Sequence, residues 1–205
     1  MSFFRRQHSS VPALHWTRHH GDSRVFLRYP VARDAAAFTA LMQRSRELHY
    51  PWIQPPVTAA GYRRYLERMG RADHFGFLVC ERASESIVGV INLNHVVYGA
   101  FLSASLGYYA GIDHAGQGLM REGLAQVITV AFRQLGLHRL EANIQPGNEP
   151  STALVRSLGF RHEGFSPAYL YIDGGWRDHE RWALVDDRDA LLPAGIPISI
   201  SRQLP

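Results

Sequence analysis

Residues 105–132, SLGYYAGIDHAGQGLMREGLAQVITVAF, are the stretch whose reading decides the fold. The run opens as a strand over 104–110, passes through the glycine-rich link GIDHAGQG, and changes period after Gly118. From there Leu124, Val127, Ile128, Ala131, Phe132 and Leu135 recur at the spacing of a buried helical face, and Gly136 supplies a stop. A helix N-terminus exposes unpaired N–H groups and about half a positive charge, and glycines let a phosphate approach the backbone closely. Gly116 and Gly118, flanking Gln117 at the head of that helix, therefore suit a pyrophosphate. A plain tight turn is the competing reading. The run lacks both the Gly-Lys-Ser/Thr of a phosphate loop and the three spaced glycines of a dinucleotide fingerprint.

Outward from this run the patterns alternate between the two periods. RVFLRY over 24–29 reads as a first strand. A helix capped by Asp34 is predicted over 34–48, with Ala37, Phe38, Leu41, Met42 and Leu48 inward. Thr58 caps a second helix over 58–69, whose inner face uses Tyr62, Tyr65, Leu66 and Met69. FGFLVCE from Phe75 and IVGVINLNHV from Ile87 read as a strand hairpin across the polar link 83–86. RLEANI over 139–144 is a short strand, Asn148 caps a helix ending before Gly159, and AYLYI and WRDHERWAL flank an Asp173-Gly174-Gly175 turn. The order β, α, α, β, β, β, α, β, α, β, β predicts a single α/β domain with mixed strand directions. Residues 1–22 read as a flexible basic arm, 23–185 as the domain and 186–205 as a loosely packed tail.

Composition narrows the function. The 205 residues include 22 basic and 18 acidic side chains, and every basic one is arginine. A lysine-free chain has no Schiff-base chemistry and no phosphate-loop lysine. The single cysteine, Cys80, excludes an intramolecular disulfide and a multi-cysteine zinc site, and it reads as an inert strand residue. No apolar run reaches the ~18 residues of a membrane span. Residues 1–33 hold six arginines against Asp22 alone, so the body of the chain is close to balanced and a nucleic-acid role is not expected. His15, His19 and His20 have helical spacing for a metal, yet no third ligand type lies nearby, and no metal is expected.

The run 104–164 resembles the core of the GNAT N-acetyltransferase superfamily, and within it the RimJ/RimL-like ribosomal-protein N-terminal alanine/serine acetyltransferases. The matching pieces are VVYGAFLSASLGYYAG, GQGLMREGL, LGLHRLEANIQPGNEPSTALVRSLGFRHEGF and YLYIDGGWRDH. The resemblance implies the GNAT fold, a mixed and mostly antiparallel central sheet flanked by helices, with acetyl-CoA as acetyl donor. It places the cofactor loop on Gly116, Gln117, Gly118, Leu119 and Met120. It places the strand that holds the thioester arm on Leu106, Gly107 and Tyr108, with the oxyanion held by N–H groups near Tyr108. Asn148 and Ser151 match the family's cofactor asparagine and the serine proposed to protonate the departing thiolate, so Ser151 and Tyr108 are the catalytic candidates. Trp52, in LHYPWIQP, resembles the substrate-side loop, and Asn94 is the second substrate-side candidate.

Departures from the pattern are as informative. Ala115 and Met120 differ from the loop's usual first and last residues, Val155 stands where many members have a tyrosine acid, and Leu170 falls near the position of a glutamate base. Any general base is elsewhere or is water, with Glu122, Glu141 and Glu163 as candidates acting through water. An amine attacks only when neutral, and the gap between an α-amine (~7.7–8.0) and a lysine (~10.4) is worth roughly 3.4 kcal/mol at neutral pH. A site without a strong base thus suits an N-terminus. The expected function is acetylation of a protein or peptide N-terminus, ribosomal proteins included, by a cytoplasmic monomer or homodimer. Acetylation of a small amine (antibiotic or polyamine) and a non-catalytic acyl-CoA-binding regulatory protein are the alternatives.

Overall fold

The structure is a computed structural model that describes residues 23–186. The expected arm, most of the tail and the histidines at 15, 19 and 20 lie outside the described residues. The elements are β1 (Val25–Arg28), α1 (Ala35–Arg44), α2 (Arg46–His49), α3 (Ala59–Met69), β2 (Phe75–Glu81), β3 (Ile87–Val97), β4 (Ser103–Ala110), α4 (Leu119–Arg133), β5 (Arg139–Ile144), α5 (Glu149–Arg156), β6 (Arg161–Ile172) and β7 (Gly175–Val185). The seven strands form one sheet in the order β1-β2-β3-β4-β5-β7-β6. Every neighbouring pair is antiparallel except β4 with β5, which α4 connects as a crossover.

Two cores sit on opposite faces of the sheet, because successive strand residues point to opposite sides. On one face Phe77, Ile91, Leu106 and Leu140 pack with Leu124 and Val127 of α4 and Val155 of α5. On the other, Leu78, Val90 and Tyr109 pack with Phe38 and Met42 of α1 and Tyr62 and Tyr65 of α3. Thr58 caps α3 as its sequence predicts, its hydroxyl accepting from Gly61 N at 3.1 Å.

The first helix departs from expectation. Ser45 breaks it into α1 and α2: its hydroxyl donates to Leu41 O at 2.7 Å and accepts from Ile112 N at 2.9 Å. That second bond ties the helix to the loop after β4, a tertiary contact outweighing continued helical pairing. The break turns Leu48 outward and brings His49 inside at 4% exposure, while Ala37 is exposed. Asp34 stands at the N-cap position without a side-chain cap; its carboxylate instead accepts from Arg28 at 2.8 and 2.9 Å and from Val31 N. β6 is longer than AYLYI and carries a bulge between Ser166 and Leu170, where Pro167 has no N–H to pair. Arg24 and Arg28 also change the charge picture. Both pair with carboxylates of the domain, Glu122 and Asp34, so the N-terminal excess is not confined to an arm.

Candidate active site

β4 and β5 are paired only over 103–106 against 139–142. Beyond that point β4 continues beside β3 (Gly107 opposite Asn92, Tyr108 opposite Ile91) and β5 beside β7 (Asn143 opposite Arg181), so the sheet opens. The 2.7 Å bond from Gly111 N to Val88 O fixes which main-chain groups face the opening. In an antiparallel ladder the direction alternates, so Leu106, Tyr108 and Ala110 turn theirs away from β3. Tyr108 therefore offers its N–H and C=O to the gap without a strand partner there. The carbonyl of Ala110 is bonded to His49 Nε2 at 2.8 Å.

The loop after β4 meets α4 at this opening. Gly116 and Gly118 have φ of +75° and +79°, a region that favours glycine, and Gly118 is the N-cap of α4. A side chain on Gly116 would meet nothing within 4 Å, so its backbone is approachable. Arg24 Nη2 donates to Gln117 O at 2.9 Å while Arg24 Nε bonds Glu122 at 2.8 Å, which pins the loop to the start of β1. Leu119 is buried, and Met120 lies against Gly89, so these two face the loop with backbone rather than side chain. The free helix N–H groups and the open glycines fit the pyrophosphate of acetyl-CoA.

Across the gap, Tyr108 Oη and Ser151 Oγ are 2.7 Å apart. Burial pushes the Tyr108 phenol up to about 12 against the opposing pull of the Ser151 hydrogen bond. Asn148 caps α5 by accepting from Ser151 N at 3.2 Å, which holds Ser151 in the first turn facing β4. Val155 is wholly buried in the core, and Leu170 is 41% exposed on β6.

The three candidate carboxylates are all engaged. Partial burial works to raise Glu122, but bonds from Arg24 and Ser23 together hold it below its ordinary range. Glu141 is likewise opposed by burial, yet Arg139 at 2.9 Å and Arg181 at 2.7 Å bring it down. Glu163 is lowered first by its hydrogen bonds from Arg139. A carboxylate held this way is a weak base.

On the α1–α3 face a cavity of about 660 Å³ lies between α2, the 50–58 loop, α3 and the turn joining β6 to β7. Gln54 Nε2 reaches Asp173 at 2.6 Å and joins the loop to that turn. Trp52 belongs to the loop rather than to the cavity lining. Its carbonyl accepts from Gln145 Nε2 at 2.9 Å, and its ring lies 3.8 Å from where a side chain on Gly147 would begin. Asn94 Nδ2 comes within 3.2 Å of the Cβ position of Gly107, so it overlies β4 at the opening. Tyr65 Oη, on the cavity wall, donates to Asn92 Oδ1 at 2.9 Å, directly opposite Gly107 in register. Among the described residues, Asn143 Oδ1 and His49 Nδ1 are buried without a hydrogen-bond partner. Burial lowers His49, opposed by its bond to Ala110 O, so the ring is neutral and Nδ1 is its lone-pair nitrogen.

Residues 24–161 match the Acetyltransferase (GNAT) domain family. The chain is a GNAT acetyltransferase. It is 34% identical over 188 residues to [ribosomal protein uS5]-alanine N-acetyltransferase of Escherichia coli (strain K12), covering 86% of this chain and 93% of that one. The solved structure of Mycobacterium smegmatis RimJ in complex with CoA-disulfide superposes with TM-score 0.72 at 30% identity, covering 79% and 82% of the two chains. Spermidine N-acetyltransferase from Vibrio cholerae, in complex with CoA and spermine, shares the fold at TM-score 0.68 and 19% identity, covering 80% and 96%. This GNAT chain is thus an acetyl-CoA-dependent N-acetyltransferase. Among the described residues no helix is long and apolar enough to cross a membrane.

Sequence reasoning missed several groups of this GNAT site. Arg24 counts with the basic N-terminus in the sequence, whereas in the fold it braces the glycine-rich loop after β4. Asn143 was read as an ordinary strand residue of RLEANI, and its place where strand pairing stops has no signal in local pattern. His49 lies in LHYPWIQP, where the resemblance singles out Trp52 alone, and the arginines of the cavity wall carry no motif.

Proposed function

We propose that this enzyme acetylates the N-terminal α-amino group of a protein, with ribosomal proteins beginning in alanine or serine as its expected substrates. One observation carries the reading: Glu122, Glu141 and Glu163 are all tied to arginine and held as weak bases. Such a site favours an acceptor that supplies its own neutral amine, and an α-amine does so far more readily than a lysine. The similarity to the uS5-alanine N-acetyltransferase supports the same choice.

When bound, acetyl-CoA supplies an activated thioester carbonyl. The N–H of Tyr108, aimed into the gap, is the donor for that carbonyl oxygen as negative charge builds. Asn143 Oδ1, buried at the same opening and unpartnered, is an acceptor for an N–H of the incoming amine. With Tyr108 Oη donating to Ser151 Oγ, the Ser151 proton is free to point at the leaving sulfur. A phenol near 12 keeps its own proton at neutral pH, so the pair assists by hydrogen bonding rather than by giving up a proton. The C–N bond forms, the C–S bond breaks, and the proton lost by the amine ends on the thiol of CoA.

Mass spectrometry of peptides with varied N-termini after incubation with acetyl-CoA tests this. Peptides starting with alanine, serine or threonine gain one acetyl group at the α-amine, and transfer to none of them would sink the reading. The pH profile gives an independent measure. kcat/KM rises about tenfold per pH unit below the amine pKa of ~7.7–8.0 and levels off above it. His49, lowered by burial, is neutral across that window, and Tyr108 titrates above it. The bend therefore follows the amine of the peptide, and a bend that ignores the N-terminal residue would point to an enzyme base instead.

A further inference from the structure

We propose that the acceptor cavity is built for a peptide that carries carboxylates a few residues behind its reacting amine, read by Arg46, Arg64 and Arg68. The inference rests on the N-terminal reading above and adds the chemistry of the segment that follows the amine. All three arginines line the cavity, and all are exposed. Among the described residues none of them has a carboxylate partner; other surface arginines such as Arg63 and Arg177 share that condition, and what sets these three apart is that they line one cavity. The single acid of the lining is Asp173, already bonded to Gln54, and the lining's one histidine is neutral. The wall is therefore cationic.

Its placement argues against a merely solvated surface. Arg64 and Arg68 stand four residues apart on α3, where like charges face each other and weaken the helix. Within α3, Glu67 stands three residues after Arg64 yet forms no ion pair with either arginine among the described residues, and Arg68 stacks over the Tyr65 ring at 5.8 Å from its centroid. Tyr65, next to Arg64 in sequence, also bonds Asn92 opposite Gly107. The same turn of α3 thus touches the opening and carries the two guanidinium groups. A peptide whose amine reaches Gly107 passes them with its first few side chains. A guanidinium fork matches a carboxylate and repels an ammonium, so this wall selects acidic segments and disfavours polyamines.

The test compares kcat/KM for three alanine-starting peptides identical except for Glu, Gln or Lys at positions three to five. At low salt the Glu peptide exceeds the Gln peptide by about tenfold, with the Lys peptide lowest, and the differences shrink in about 0.5 M salt. The double variant Arg64→Gln/Arg68→Gln collapses the Glu-to-Gln ratio toward one, and Arg64→Glu/Arg68→Glu reverses the order. Acetyl-CoA affinity, measured in parallel, reports that each variant is folded. Transfer to no peptide would overturn the N-terminal reading itself, while equal transfer to all three by the unaltered enzyme overturns this inference alone. Equal transfer together with single-stranded RNA binding that Arg64→Glu/Arg68→Glu abolishes would assign the arginines to nucleic acid and likewise overturn it.

Discussion

The two ends of the gap are built from different materials. At the proposed cofactor end, Gly116, Gly118, the first turn of α4 and Tyr108 present main-chain groups, and the side chains of Leu119 and Met120 turn away into packing. On the α1–α3 side, where the acceptor is proposed to enter, the 50–58 loop, α3 and the turn between β6 and β7 present side chains: arginines, Tyr65, His49 and Asp173. A backbone site depends on where the chain goes, so many sequences serve it. A side-chain site depends on which residues are present, so one substitution can change what it accepts. In the proposed arrangement, binding of a common donor and choice of acceptor are thereby separated.

The sharpest way to break this contrast is at Gly118. Gly118→Glu places a side chain at φ +79° and an anion at the head of α4, where an anionic phosphate is expected. Acetyl-CoA affinity measured by calorimetry falls more than about 100-fold while circular dichroism is preserved; unchanged affinity would remove the pyrophosphate assignment. A smaller effect is expected at the one place where side chains join the cofactor end. Ser151→Ala lowers kcat by about 10- to 100-fold with little change in acetyl-CoA affinity, and Tyr108→Phe lowers it by about tenfold. Because the two hydroxyls act as one bonded pair, the double variant is no worse than Ser151→Ala; additive losses would show that they act separately. The smallest effect is the most telling for a backbone site. Ala115→Gln restores the residue type common at the start of the family's loop, yet shifts acetyl-CoA affinity less than about threefold. A large gain would mean that side chains matter there after all.

The same division explains what could be read in advance. α4 was legible because its stripe repeats over four turns, and the glycine pair before it has a local conformational reason. Thr58 and Asn148 were legible as caps because a cap acts within three residues. The break at Ser45 was not, since its partner Ile112 lies in the loop after β4. Glu141 and Glu163 read as bases acting through water; strand alternation already sets Arg139 on the face of Glu141, but only the folded sheet brings Arg181 onto Glu141 and Arg139 onto Glu163. Arg64 and Arg68 could be placed on a helix by period, but lack of a partner is a property of three-dimensional neighbours. Asn143 shows the same limit: that its side-chain oxygen lacks a partner among the described residues is visible only in the fold.

The opening between β4 and β5 has one more consequence. Four registered pairs are all that join the two halves of the sheet along that line, as few as hold β1 to β2 at the sheet's edge. In the proposed site, acetyl-CoA lies in the gap, spans both halves and binds only when they are correctly apposed. Linkage then adds about 2.7 kcal/mol of resistance to unfolding at a concentration 100 times Kd. Amide exchange at Tyr108 and Asn143 slows in proportion, and so does cleavage by any protease that needs the seam open. How long this fold survives is thus coupled to how much acetyl donor surrounds it.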